Sequence, residues 1–414
     1  MSSKRLFAAG YLVLVTVGIA LTATGAVGQT FKVLHSFGGA EDGSGPFAAL
    51  IADGTGQLYG VTLAGPAGSQ CSPDGCGVVF KLSPNRDGSW METLLYQFTG
   101  GSDQSEPVFP VAFDSLGNLY GTTQGNPGEY GTVFGLTPNA NGSWSQRTIY
   151  TFTGGADGGQ PFGIAVSGVG RVYGTTYRHR GNYQGLVFDL AQVSALNWKQ
   201  NVLYAFGNGS DGYGSSGELI FDASGNIYGT TYSGGFLGNG TVFKLSATAD
   251  GDWSETILYS FRGSPDGAHP YAGVIFDSAG NLYGTTEQGG STGEGTAFQL
   301  IPNSDGSWTE SVLHSFGSGN DGGFPDAGLT FDQAGNLYGT TPSGGGFGFE
   351  GTVFKLTPGS QGHWTETVLH AFSGQDGIVP YNDGRLLVDG AGNIYGTAAS
   401  GGQYGGGTAF EITP

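Results

Sequence analysis

The segment Gly-Asn-Leu-Tyr-Gly-Thr-Thr, intact or slightly varied, returns seven times along the chain. Its tyrosine falls at Tyr59, Tyr120, Tyr173, Tyr228, Tyr283, Tyr338 and Tyr395, with gaps of 61, 53, 55, 55, 55 and 57 residues. A second block, Gly-Thr-Val/Ala-Phe, ends at Phe80, Phe134, Phe188, Phe243, Phe298, Phe354 and Phe410. A third, of type Leu-Tyr/His-Ser-Phe, ends at Phe37, Phe98, Phe152, Phe206, Phe261, Phe316 and Phe372. A fixed period of this length is the signature of a repeat architecture, in which each unit buries its apolar face against the next.

Each unit reads as four short strands, here a to d. In the sixth unit they are Pro325 to Asp332, Asn336 to Thr341, Gly351 to Thr357 and Trp364 to Phe372. All are rich in aromatic, β-branched and Leu residues and are bounded by Gly, Asn, Asp and Ser. The Asp-x-x-Gly-Asn link between a and b predicts a tight hairpin. No stretch after residue 30 has a helical period of helix length. The expected fold is therefore all-β: a seven-bladed β-propeller of four-stranded antiparallel blades. The chain ends are expected to close the ring. Six units carry a Trp ten residues after the strand-c Phe, but after Phe410 the chain stops at Pro414, before a strand d. Phe31 to Phe37 is a spare strand d with no a to c before it, so it should complete blade 7. The resulting assignment is one domain over 29–414. Blade 1 is 46–98, blade 2 107–152, blade 3 161–206, blade 4 216–261, blade 5 270–316 and blade 6 325–372. Strands a to c of blade 7 are 380–414 and its strand d is 31–37.

Composition sets the function classes. Gly is 82 of 414 residues, about a fifth against an average near 7%, but it recurs at fixed places and aromatics reach 13%, which argues against disorder. Collagen, coiled-coil and polytopic membrane classes are excluded. The net charge of -19 makes nucleic acid and anionic membranes poor partners, because binding phosphate needs a basic footprint. At the N-terminus, Lys4 and Arg5 precede an uncharged stretch and then Ala26-Val27-Gly28, the pattern of a secretory signal peptide over 1–28. An uncleaved anchor is the competing reading. Cleavage removes both basic residues and leaves about -21 by that count. Cys71 and Cys76 are the only cysteines, and in an exported chain they should form a disulfide that staples an insertion in the first b–c loop.

The blocks Leu-Tyr-Ser-Phe, Asp-Gly-x-x-Pro, Gly-Asn-Leu-Tyr-Gly-Thr-Thr and Gly-Thr-Val-Phe-Lys-Leu-Thr-Pro resemble the GloVer tandem repeat of exported bacterial proteins. The resemblance covers essentially everything after residue 30. It implies export and brings no activity, because none is assigned to the family. Many members carry a C-terminal surface anchor. None is seen before Pro414, so the expectation is an extracellular or periplasmic protein, and a monomer.

Candidate chemistry is sparse. Every d–a loop has an Asp: Asp42, Asp103, Asp157, Asp211, Asp266, Asp321 and Asp376. These seven form either Asx-turns or a carboxylate ring near the channel mouth, for which calcium is the cation to consider; the turn reading is preferred. No other cofactor or metal is expected. His35, His314 and His370 stand where other units have Tyr96, Tyr150, Tyr204 and Tyr259, which marks an aromatic hydrogen-bonding position. The six Trp are in register and read as packing. No nucleophile motif is present, and no catalytic residue is assigned. The sharpest break in symmetry is Arg178-His179-Arg180 in the third b–c loop, the only basic cluster after the signal segment and the candidate contact for a carboxylate-bearing ligand. Two functions follow. One is a non-catalytic binding or scaffold module for a protein or glycan. The other is a channel-mouth enzyme such as a metal-dependent lactonase or a lyase.

Overall fold

The structure, a computed structural model, describes residues 29–38, 41–66, 71, 75–125, 128–168, 170–194, 197–207, 210–215, 217–344, 350–380 and 384–414. The expected signal segment lies outside the described residues.

Seven four-stranded antiparallel sheets follow one another as the blades of a propeller. Blade 1 consists of Ile51–Ala52, Leu58–Thr62, Val78–Pro84 and Trp90–Gln97. Blade 6 consists of Thr330–Phe331, Leu337–Thr341, Thr352–Pro358 and Trp364–Ala371. Blade 7 joins Leu387–Val388, Ile394–Ala398 and Thr408–Thr413 to Thr30–Ser36, with Phe31 opposite Ile412 and Val33 opposite Phe410. The N-terminal strand thus completes the last blade, as the register of the repeats requires.

The repeated residues build the core in a fixed way. Strand-b Gly lies opposite strand-c Phe in every blade, as with Gly339 and Phe354. The Phe ring covers that Gly so closely that a Cβ would come within 2.4–2.7 Å of its Cζ in all seven blades. Each strand-d Phe packs on the strand-c Phe of the next blade, from Phe98 on Phe134 to Phe372 on Phe410, with centroids 4.8–5.4 Å apart. Phe37 on Phe80 closes the series at 5.0 Å, so the junction between last and first blades repeats the contact used elsewhere. Four Trp pack edge-on against the strand-b Tyr of the preceding blade, among them Trp144 on Tyr59 and Trp364 on Tyr283.

Strand a differs from expectation. The sequence predicts about eight residues, but in six blades only two pair with strand b. The segment before them turns its carbonyls to the preceding blade instead. Thr230, Thr285 and Thr397 donate their hydroxyls to the carbonyls of Ala272, Ala327 and Ala48. Bonds that would have lengthened the ladder tie neighbouring blades together at the axis. Blade 3 alone has a long inner strand, Gly159–Val166.

Cys71 and Cys76 form the expected disulfide in the b–c loop of blade 1. Among the described residues no helix is long and apolar enough to cross a membrane. That and the disulfide are compatible with an exported protein.

Candidate binding site at the channel mouth

The d–a and b–c loops share one face of the ring, and a single backbone device knits it. Three residues after each loop Asp stands Gly45, Glu106, Gln160, Gly214, His269, Phe324 or Val379, and all seven have φ between 53° and 68°. This left-handed conformation is costly for non-glycine residues and most of all for a β-branched one such as Val379. It is held because each of these N–H groups donates to a b–c loop carbonyl of the preceding blade at 2.7–3.3 Å, for example Phe324 to Glu294 and Val379 to Glu350.

The seven loop carboxylates are spent on turn structure. Each lies 2.8–3.2 Å from the Tyr hydroxyl or His Nε2 of the preceding outer strand: Asp42 with His35, Asp103 with Tyr96, Asp157 with Tyr150, Asp211 with Tyr204, Asp266 with Tyr259, Asp321 with His314 and Asp376 with His370. Six also accept loop N–H groups, as Asp103 does from Thr99 and Gly101. They are therefore held at the outer strands and not around the axis. Among the described residues no group of three or more His, Cys, Asp or Glu is arranged to hold a metal ion. The Tyr/His column and the Asp column were both legible in the sequence, and their partnership was not.

The basic cluster is divided among three surroundings. Arg178 ends strand b of blade 3. Its Nε donates to Gln160 Oε1 at 2.7 Å, and its guanidinium lies over the Tyr183 ring at 4.8 Å. Glu106 and Glu129 line the same hollow, of about 440 Å³. Burial and then the charge of Glu129 push the Glu106 carboxyl up. His179 exchanges backbone bonds with Asn182 in a turn. Burial, and next the Arg180 charge, hold its imidazole below the usual 6.5, so it takes a proton only at lower pH than a free histidine. Arg180 is exposed, with φ 50°, and its N–H donates to Gly155 O.

The axis itself holds what the sequence reading missed. The residue before the buried apolar residue of strand a faces the channel. In blade order it is Ala49, Pro110, Gly163, Glu218, Gly273, Gly328 and Arg385. Five of these are small or rigid. The two charged ones meet, with Arg385 Nη2 3.3 Å from Glu218 Oε2 and within 3.3 Å of the Val274 carbonyl. Beside them Gly384 packs against blades 1 and 2, where a Cβ would come 2.8 Å from Ala49 and 2.6 Å from Pro110. About 20 Å³ of cavity is left at this floor, room for roughly one water.

Around this floor runs a chain of aromatic rings from blades 2 to 5. Phe109 meets Phe162 at 4.6 Å, and Phe162 meets Tyr177 at 5.8 Å and Tyr271 at 6.2 Å. Tyr177 continues to Tyr183 at 5.2 Å, and Tyr271 to Tyr232 at 6.2 Å. Tyr232 stacks on His269 at 4.8 Å and donates its hydroxyl to Glu287 Oε2 at 2.8 Å. Phe109 and Tyr271 also line the small axial hollow together with Glu218, Asp326 and Arg385, so two rings of the chain reach the charges at the axis. The signal for it was a column that varies: three residues after the strand-b Gly the sequence has Leu63, Gln124, Tyr177, Tyr232, Glu287, Pro342 and Ala399.

The model of the Gloeobacter/Verrucomicrobia repeat matches residues 18–188, 184–304 and 246–414. The chain belongs to that family. No curated relative matches this repeat protein. Its fold is similar to that of a fungal alcohol oxidase of the AA5 family in complex with copper, at 13% identity and a TM-score of 0.54, over 91% of this chain and 75% of the oxidase. It is also similar, at a TM-score of 0.44, to a Dyadobacter fermentans protein of unknown function, with 13% identity over 82% of this chain and 98% of that one. A putative oxidoreductase (glucose dehydrogenase) from Thermus thermophilus matches at 18% identity and a TM-score of 0.44, over 73% of this chain and 95% of that one. These likenesses are of fold, and fold alone does not carry function.

Proposed function

We propose that the protein is an exported, non-catalytic binding module of the Gloeobacter/Verrucomicrobia repeat family, and that its ligand seats on the aromatic mouth of blades 2 to 5. The observation that carries this reading is the combination of a run of rings at the mouth with an axis filled by the Glu218–Arg385 pair and Gly384. An enzyme working in the channel would need its substrate to reach side chains converging on the axis, and that space holds about one water. Binding at the face needs only a preformed surface with a few fixed polar groups. The test is capture from a glycan and exported-protein mixture by the native protein and by a Tyr232→Ala/Tyr271→Ala variant. The expected result is a captured species that the variant loses. Equal capture by a folded variant overturns the proposal.

A further inference from the structure

We infer that the mouth takes a neutral oligosaccharide, with sugar rings laid on the tyrosines of blades 3 to 5 and sugar hydroxyls donated to the carboxylates beside them. The inference rests on the reading of the mouth as a binding site.

The rings are sorted by exposure in a way that packing alone does not require. Phe109 and Phe162, at 6% and 7% exposure, are buried and carry no polar atom. In front of them the accessible rings are Tyr177, Tyr183, Tyr232 and Tyr271. Tyrosine offers a flat apolar face with a polar tip and few torsions to freeze, which suits a ligand that is itself apolar on its faces and polar on its edge. Gly214 lies between two of them, 3.6 and 3.7 Å from Tyr177 and Tyr232 when measured from a Cβ built on it, and its φ of 68° suits glycine. Tyr232 is pinned by Glu287, so the platform is preorganised.

Charge decides the class of ligand. Glu218, Asp326 and Glu287 stand at the mouth, and Glu106 and Glu129 stand behind Arg178. Five carboxylates against Arg178 and Arg385 disfavour uronate chains and other polyanions. The two arginines are each already engaged, Arg385 with Glu218 and Arg178 with Gln160, so neither is free to hold an anion. A neutral polyol satisfies both, since its hydroxyls donate to carboxylates and accept from guanidinium groups.

The experiment is calorimetric titration of the intact mature protein with neutral gluco-, manno- and xylo-oligosaccharides and with uronate oligomers of matched length. Binding of at least one neutral series is expected. It should weaken about tenfold in Tyr271→Ala, which removes one stacking face, and stay unchanged in Tyr404→Ala, an exposed ring on blade 7. Should Tyr271→Ala unfold, the exposed Tyr183→Ala carries the same readout. A preference for uronates, or no binding by any neutral series, overturns the inference. If in that case the Tyr232→Ala/Tyr271→Ala variant still loses a captured protein, the mouth remains the site and only the ligand class is wrong. If capture is unchanged as well, both readings fail.

Discussion

In blade 6 the a–b hairpin is held by Asp332, whose carboxylate accepts bonds from Ala334, Asn336 and Tyr338. In blade 3 the same position is Ser167, and the charge has moved to strand c. Asp189 stands opposite Tyr173, fully buried, and is bound by Arg171 Nε at 2.7 Å and by Asn201 at 2.9 Å. The departures continue along the blade. Its inner strand is long, and its strand b runs on through Tyr177 to Arg178. Yet Gly174 under Phe188 and Phe152 on Phe188 repeat the contacts of Gly339 under Phe354 and Phe316 on Phe354. What stays fixed between the two blades is apolar packing between sheets. What varies is polar, and it leads toward the mouth.

The largest effect should come from breaking the charge pair peculiar to blade 3. Arg171→Ala leaves the buried Asp189 carboxylate with Asn201 as its remaining side-chain partner; because the lost guanidinium is itself half exposed, the cost should be about 2–3 kcal/mol. Asp332→Ala in blade 6 removes an acceptor from the exposed Ala334 N–H and from the nearly buried Asn336 and Tyr338 in a surface hairpin, at about 1–2 kcal/mol. Urea unfolding of the two variants measures the difference. A larger loss in Asp332→Ala would mean that the two hairpins do not depend on their charges as described.

Next come the glycines that the two blades share. Gly174→Ala and Gly339→Ala place a Cβ 2.7 and 2.5 Å from a buried ring, and each should cost about 1–3 kcal/mol by overpacking. The two losses should match within experimental error. A clear inequality would show that blade 3 differs in its core and not only in its polar network.

These contacts explain what the sequence could and could not convey. Gly, Phe and Tyr columns repeat because every blade solves one packing problem, so seven blades, their order and the closure by Phe31 to Phe37 were readable. Strand a was over-read. Its Pro-x-x-Gly run has strand composition, but its carbonyls bond to the neighbouring blade, and a single unit does not reveal that. The Glu218–Arg385 pair was hidden because the two residues belong to blades 4 and 7 and meet only once the ring closes. The aromatic mouth was hidden for a related reason. Tyr177, Tyr232 and Tyr271 come from three blades and two kinds of position, so no motif contains them.

A third comparison concerns protons. Glu366 in strand d of blade 6 sits beside Asp321 of the preceding loop, with Oε1 buried and without a hydrogen-bond partner. Burial, then the Asp321 charge, push its carboxyl from 4.5 up to about 7. Blade 3 has Gln200 at this position, which accepts from Tyr150 and donates to Asp157 O. Because the folded value exceeds the unfolded one, the native state binds the extra proton between about pH 4.5 and 7. The stability from Glu366 is therefore complete below 4.5 and lost as pH rises through 7. Glu366→Gln makes blade 6 resemble blade 3, and its melting temperature should fall less than the native protein's between pH 5 and pH 8. The difference between the two proteins is the readout, because His370, held low by burial against the pull of Asp376, contributes the opposite slope to both. An unchanged slope would remove Glu366 from the account.

The smallest effects separate the two arginines of the blade 3 loop. Arg178 is half-buried, bonded to Gln160 and stacked on Tyr183, so Arg178→Ala should cost about 1 kcal/mol through the lost bond and cation–π contact. Arg180 is exposed and fixed through its backbone, so Arg180→Ala should stay within about 0.5 kcal/mol of the native protein. No blade 6 residue matches either arginine: counted from Thr341, Ser343 stands at the position of Arg178 and Gly345 at that of Arg180. The pair therefore tests whether the polar divergence of blade 3 serves the fold or the mouth. Ligand affinity that drops in Arg178→Ala but not in Arg180→Ala would assign the first arginine to the mouth through Tyr183. Equal drops in both would extend the binding surface out to the loop tip.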